Sequence, residues 1–354
     1  MLQCVGYAAT SKSSKLAPFN LERHEPKENE VEIEILFCGV CHSDLHQVRN
    51  DWGNTVYPCL PGHEIVGRVV AAGSAVTSFQ HGDMVGVGCM VDSCQSCPAC
   101  KAGAENYCEG PNSWTATYNG PMKANGSNTF GGYSNAIVVR QEFVLRIPES
   151  IPPQQAAPIL CAGVTTYSPL RHWKIGPGQR IGVAGLGGLG HMAVRLARAM
   201  GAEVVALTNT AEKTDEAVRL GAVAAFSVKD KDGVAQHAGS LDFILSTIPV
   251  PYDVNRYLPL LKRDGHLVNV GVLGPLQPPV NNMLLASRRQ QVGGSLIGSI
   301  AETQEVLDFC AEHAIAPDIE VIPIASINDA FEAMNKGEVR FRYVIDMASL
   351  PVTP

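Results

Sequence analysis

The chain changes its rhythm near Pro158. Before that point apolar positions alternate or run in short stretches. "VEIEILFCGV" and "EIVGRVVAAG" carry β-branched residues at strand spacing, and Gly67 and Gly73 suit tight turns or bulges in a small barrel. Pro111 to Gly132, rich in Asn, Gly, Ser and Thr, predicts loop. Beyond Pro158, "QRIGVAGLGGLG" predicts a buried strand and a Gly-rich turn, and "HMAVRLARAMG" an amphipathic helix ended by glycine. "EVVALT", "AAFSV", "LDFILSTI" and "GHLVNVG" follow as short apolar strands separated by helical patterns. That alternation predicts a parallel, doubly wound sheet. Past about residue 298, "AETQEVLDFCAEHAI" predicts a helix and "FRYVIDM" a closing strand. A doubly wound unit is complete without this tail, so the tail is expected to return to the first domain. The reading is an α/β protein of two domains, residues 1–160 with 299–354, and residues 161–298.

At 354 residues the chain is also too long for one ordinary core. Hydrophobic residues at 45% and charged residues at 17% describe a soluble globular composition. A net charge of −7 argues against a nucleic-acid or anionic-membrane surface. The first residues lack the apolar core of a signal peptide, and no apolar run reaches the ~18 residues that span a bilayer. The sequon at Asn125 therefore reads as a bare loop. The expectation is a cytoplasmic protein acting on a small molecule. Eleven cysteines, an odd number scattered over a long chain, make a poor disulfide framework and turn attention to metal.

"GLGGLG" places Gly185, Leu186, Gly187, Gly188, Leu189 and Gly190 between a predicted strand and a predicted helix. Alone it could be a plain tight turn. In that setting it predicts a dinucleotide whose pyrophosphate rests on helix N-terminal N–H groups. An NAD site calls for a carboxylate at the end of the next strand. Here stand Thr208, Asn209, Thr210 and, one turn later, Lys213. Hydroxyls, an amide and an ammonium suit a 2′-phosphate, so NADP(H) is expected over NAD(H); the alternative is that Lys213 is only a solvated helix residue.

"CQSCPACKAGAENYC" sets Cys94, Cys97, Cys100 and Cys108 in a lobe of about residues 89–110. Four thiolates so close predict a closed structural zinc site, with an iron–sulfur cluster as the competing use. "CGVCHSDLH" is more ambiguous. Cys38 and Cys41 could be a redox pair, or Cys41 could be a metal ligand followed by a hydroxyl and an imidazole able to move a proton. His63 in "PGHEIVG" and Cys161 before the nucleotide half would complete an open Cys2His site, a ligand set of catalytic zinc.

With these pieces the chain resembles the zinc-dependent medium-chain alcohol dehydrogenases. G-H-E-x2-G-x5-G-x2-V runs from Gly62 to Val76 without a mismatch, and the four-Cys lobe and nucleotide motif follow in the family's order. "GVCHSDLH", "YPCLPGHEIVG" and "CAGVTTYSPLRHW" look most like the cinnamyl-alcohol-dehydrogenase-like branch. The resemblance implies a GroES-like β-barrel catalytic domain and a Rossmann domain. It implies two Zn2+ per chain, NADP(H), and reduction of aromatic or medium aliphatic aldehydes to primary alcohols. It implies catalytic zinc on Cys41, His63 and Cys161, with Glu64 as a neighbouring or alternating fourth ligand. Asp44 would orient His63, Ser43 would touch the substrate oxygen, and His46 would pass the proton to solvent. His42 would lie near the pyrophosphate and Thr165 near the nicotinamide. Arg340 is the candidate pyrophosphate contact, with Arg342 only two residues away. Trp52, Trp114, Leu296 and Ile300 would line the substrate pocket, and a homodimer is the family habit. The C-x-x-C then reads as one ligand, Cys41, and one packing residue, Cys38; Cys4, Cys59, Cys89 and Cys310 read as packing too. The competing readings are a polyol or sorbitol-type dehydrogenase, whose branch tends to carry a carboxylate where this chain has Cys161, and a non-enzymatic zinc- and NADPH-binding protein.

Overall fold

The computed structural model describes residues 1–351 except 112, 121–127, 209–210, 272–273 and 338–340. The chain divides into two compact units, one of residues 1–161 with 299–354 and one of residues 162–298.

The second unit is a six-stranded, wholly parallel sheet. Its strands, in chain order, are Arg180–Ala184, Glu203–Leu207, Ala224–Phe226, Leu241–Ser246, Leu261–Asn269 and Gln291–Gly294. In space they lie in the order 3-2-1-4-5-6 of a doubly wound nucleotide-binding sheet. Strands buried on both faces need continuous apolar runs, and Ile181, Val205, Ile244, Leu245 and Leu267 are all without solvent exposure. Each such side chain contributes roughly 1.5–3 kcal/mol on burial. The helix Gly190–Ala199 turns Met192, Ala193, Leu196 and Ala197 inward at helical spacing.

The first unit is built on a seven-stranded sheet. Its long strand, Glu30–Gly39, pairs antiparallel with Ile65–Ala72, Ala136–Arg140 and Arg342–Asp346. Here one face is covered and the pattern is less continuous: Val31, Ile33 and Ile35 are buried while Glu34 is exposed. Three strand ends meet at one point. Cys38 pairs with both Ile65 and Ile345, the Gly39 N–H donates to the Glu64 carbonyl at 2.9 Å, and the Val40 N–H donates to the Tyr343 carbonyl at 2.9 Å. The register therefore delivers Cys41, Glu64 and Arg342 to the same corner. A Cβ on Gly39 would run into Glu64 Oε2, which is why the corner needs glycine.

Among the described residues no helix is long and apolar enough to cross a membrane.

Candidate active site

Cys41 caps the helix His42–Val48, with extended backbone angles. Its N–H donates to Asp44 Oδ2 at 2.8 Å, so the third helical residue folds back on the cap. Asp44 has no solvent exposure. Its other oxygen accepts from the Gly62 N–H at 3.1 Å and lies 3.2 Å from His63 Nδ1. The Tyr133 hydroxyl donates to Oδ2 at 3.2 Å. With Nδ1 engaged, His63 turns Nε2 the other way, 3.2 Å from Cys161 Sγ. Cys161 arrives from the end of a tight 3₁₀ turn, Ala157–Leu160.

The sulfurs of Cys41 and Cys161, a ring nitrogen of His63 and a carboxylate oxygen of Glu64 all lie within 4.8 Å of one another, and all four residues are buried. Glu64 Oε1 is ion-paired with Arg342, itself buried, while Glu64 Oε2 is buried with no partner among the described residues. The Cys161 thiol donates to Cys41, which pulls Cys41 well below the ordinary thiol range and pushes Cys161 well above it; Arg342 and His63 add to the first effect. Burial pushes Glu64 up to about 8 despite the guanidinium beside it. Two sulfurs, an imidazole with its outer nitrogen held by a carboxylate, and an unsatisfied carboxylate oxygen are donors suited to zinc. The residues fit the ion.

Ser43 Oγ lies 3.7 Å from Cys41 Sγ, and His46, three residues on, shares its helix face. His46 is about a third exposed at 29%, so it is positioned to meet solvent. Its Nδ1 is 2.8 Å from Asp51 Oδ2. Its ring lies between those of His42, 6.3 Å away, and Trp52, 5.8 Å away. Sequence reasoning missed Asp51; nothing marks it except its place beside Trp52. It missed Tyr118 as well, a buried residue whose ring centroid is 5.5 Å from that of His63. Cys89, read as packing, points its thiol at the carbonyl of Leu160, the residue before Cys161, at 4.0 Å. Cys38 is fully buried in its strand. Trp114 is half-buried beside the short strand Thr115–Ala116. Ile300 starts the helix Ile300–Glu312 and Leu296 belongs to the other unit.

In the lobe, the sulfurs of Cys94, Cys97, Cys100 and Cys108 form a second cluster. Backbone N–H groups of Cys97, Cys100, Glu109 and Gly110 donate to these sulfurs at 3.4 Å, and that of Cys94 at 3.5 Å. The N–H groups of Ser96 and Cys97 bring Cys94 down to about 6. Amides aimed at sulfur are what a thiolate array needs, so this cluster also fits a cation.

In the second unit the glycines divide the labour. Gly185 takes φ +89°, a Cβ on Gly190 would collide with the Gly185 carbonyl, and Gly187 has nothing within 4 Å of where a Cβ would stand. Leu189 caps the following helix without a side-chain bond, and the His191 N–H donates to the Gly187 carbonyl at 3.1 Å. Thr165 Oγ1 is buried without a partner on the helix Ala162–His172, a polar atom suited to a cofactor group. These features fit a dinucleotide. Thr208 is buried just past the strand Glu203–Leu207, its N–H bound to the Phe226 carbonyl at 2.9 Å, and Lys213 is exposed on the helix Ala211–Leu220. Asn209, Thr210 and Arg340 lie outside the described residues.

Residues 27–149 match the alcohol dehydrogenase GroES-like domain, and residues 188–312 match the zinc-binding dehydrogenase domain. The aldehyde reductase YahK of Escherichia coli is 51% identical over 97% of each chain. A cinnamyl alcohol dehydrogenase of Sorghum bicolor superposes with a TM-score of 0.95, at 42% identity over 100% of each chain. A cinnamyl alcohol dehydrogenase of Helicobacter pylori, solved with NADP(H), gives a TM-score of 0.91 at 40% identity, over 98% of this chain and 99% of that one.

Proposed function

This chain belongs to the zinc-binding dehydrogenases with an alcohol dehydrogenase GroES-like domain, and on that premise we propose which of its residues do the chemistry. The enzyme is an oxidoreductase that interconverts aldehydes and alcohols with NADP(H). In our reading Cys41, His63 and Cys161 hold one zinc, with Glu64 as an alternating fourth ligand, and Cys94, Cys97, Cys100 and Cys108 hold another. The observation that carries this is the Cys41–His63–Glu64–Cys161 cluster, four ligand atoms within 4.8 Å, with Asp44 fixing the outer nitrogen of the imidazole.

Zinc in that cluster supplies a Lewis acid for a carbonyl oxygen, and the nicotinamide supplies the reducing equivalent. The protein supplies the rest. The Ser43 hydroxyl both donates and accepts, so it can give a proton to substrate oxygen and take one back from its neighbour. In aldehyde reduction His46 brings the replacement proton in from water, and in alcohol oxidation it carries the released proton out. Asp51 holds Nδ1 and leaves Nε2 for the exchange. Arg342 balances the Glu64 charge, which keeps that carboxylate available to the ion. Gly185, Leu186, Gly187, Gly188, Leu189 and Gly190 wrap the pyrophosphate with His42 and Arg340. Thr165 meets the nicotinamide side, and Thr208, Asn209, Thr210 and Lys213 read the 2′-phosphate. We assign aromatic and medium aliphatic aldehydes as the substrate class, with Trp52, Trp114, Leu296 and Ile300 as walls. A homodimer in the cytoplasm is the assembly and compartment we propose.

Elemental analysis with steady-state assays tests this. Cys161→Ser should lose one of two zincs and nearly all turnover, and Cys97→Ser should lose the other. Wild-type protein should consume NADPH with cinnamaldehyde and not with ketoses. Full zinc content and turnover in Cys161→Ser would overturn the ligand assignment, and a preference for ketoses would favour the polyol reading.

A further inference from the structure

The signature glycine Gly62 has an explanation that leads further. It sits at φ +104°, and a Cβ there would come within 2.7 Å of the Tyr133 ring and 2.8 Å of Cys38 Sγ. Tyr133 is fully buried, lies against Gly62, and places its hydroxyl 3.2 Å from Asp44 Oδ2. Tyr118 comes from a different segment, covers the His63 ring at 5.5 Å, and has its hydroxyl buried beside Asp44. Among the described residues Asp44 has no Lys or Arg partner, and its oxygens are met by the Cys41 and Gly62 N–H groups, by His63, and by the Tyr133 hydroxyl. A buried carboxylate served by donors alone is sensitive to the loss of any one of them, because each remaining lone pair then goes unsatisfied in a low-dielectric setting. The nearest rearrangement is rotation of the Asp44 carboxylate, and that would release His63 Nδ1.

We propose that Tyr118 and Tyr133 are positioning residues for the metal cluster: the Tyr133 hydroxyl bonds Asp44, Tyr118 closes over the His63 ring with its hydroxyl beside the same carboxylate, and Asp44 in turn holds His63 with Nε2 facing Cys41, Glu64 and Cys161. The inference rests on the assignment of zinc to that cluster. Groups that orient a ligand imidazole typically change metal affinity by about 10- to 100-fold. Tyr133→Phe and Tyr118→Phe keep the ring and delete only the hydroxyl.

The test follows transfer of zinc from the loaded enzyme to a chromophoric chelator. Two kinetic phases are expected in wild type, one per cluster, with the four-Cys lobe as internal reference. Each phenylalanine variant should speed release from the Cys41 cluster on the order of 10-fold or more. The lobe phase should not move, and Asp44→Asn should reproduce the effect. Cobalt substituted at the Cys41 cluster should give an altered ligand-field spectrum in the variants. Wild-type release rates in both variants would overturn the inference. So would acceleration of both phases together with a lower melting temperature, which marks general loosening. If Tyr133→Phe does not fold, Tyr118→Phe carries the comparison. If Cys41→Ser leaves the zinc content of the enzyme unchanged, the metal assignment itself has failed and the inference falls with it.

Discussion

Replacing Arg342 with methionine should cost the first unit much of its stability. Arg342 and Glu64 are 4% and 0% exposed, and their pairing removes two charges from water together. Methionine fills similar volume but leaves Glu64 buried with neither oxygen partnered among the described residues, so it must stay charged alone or take up a proton. Breaking one side of a buried pair costs about 3–5 kcal/mol. Glu64→Gln should cost a similar amount by stranding the guanidinium, while the double variant should cost less than the sum. The measurement is denaturant unfolding of metal-free protein, since a bound cation would take over part of the role of Arg342. Trp52 and Trp114 report on the first unit once Trp173, which belongs to the second, is replaced by phenylalanine. Two units need not unfold together, so this separation matters. Single variants within about 0.5 kcal/mol of the parent, the range of an ordinary surface change, would refute the reasoning.

Other outcomes follow from the same structure. Gly190→Ala drives a methyl into the Gly185 carbonyl, and should raise the KM for NADPH on the order of 10-fold or more while leaving zinc content unchanged, as read by kinetics and elemental analysis. Thr208→Asp should shift preference toward NADH through charge repulsion of the 2′-phosphate; an unaltered NADPH-to-NADH ratio of kcat/KM refutes it. His46→Gln and Asp51→Asn should each lower kcat, by up to about 100-fold, and the double variant should add little; additive losses would separate Asp51 from the relay. Burial alone would push the Glu30 carboxyl up, but the Lys27 N–H at 2.9 Å and His24 at 2.8 Å bring it below the ordinary range. Its contribution is therefore present above the unfolded value near ~4.5 and fades as pH falls through the folded one. The stability gap between wild type and Glu30→Gln should narrow in acid, as followed by urea midpoints.

The parts of the site that could be read from the sequence are those whose chemistry has few substitutes. Thiolates and imidazoles at set spacings point to a metal, and glycines between a strand and a helix point to a phosphate. The alternation of apolar strands and helical stretches likewise announced the parallel sheet. Supporting groups were another matter. Tyr118 and Tyr133 are ordinary aromatics in a loop-like stretch, and only the approach of Gly62 and His63 gives them work. Arg340 and Arg342 are only two residues apart in the sequence, so spacing could not choose between them. The pairing of Val344 with Gly39 puts Arg342 on Glu64, a register fact carried by residues some 300 positions apart and invisible to any local pattern.

That long reach has a consequence for biosynthesis. Cys41, His63, Glu64 and Cys161 all leave the ribosome well before the Arg342 guanidinium that pairs with Glu64. Until then the buried Glu64 has no guanidinium beside it. Capturing a divalent ion early would supply the missing positive charge, so metal loading and completion of the barrel are coupled in time. Messages truncated before the last strand should then yield chains that depend on the ion simply to stay folded.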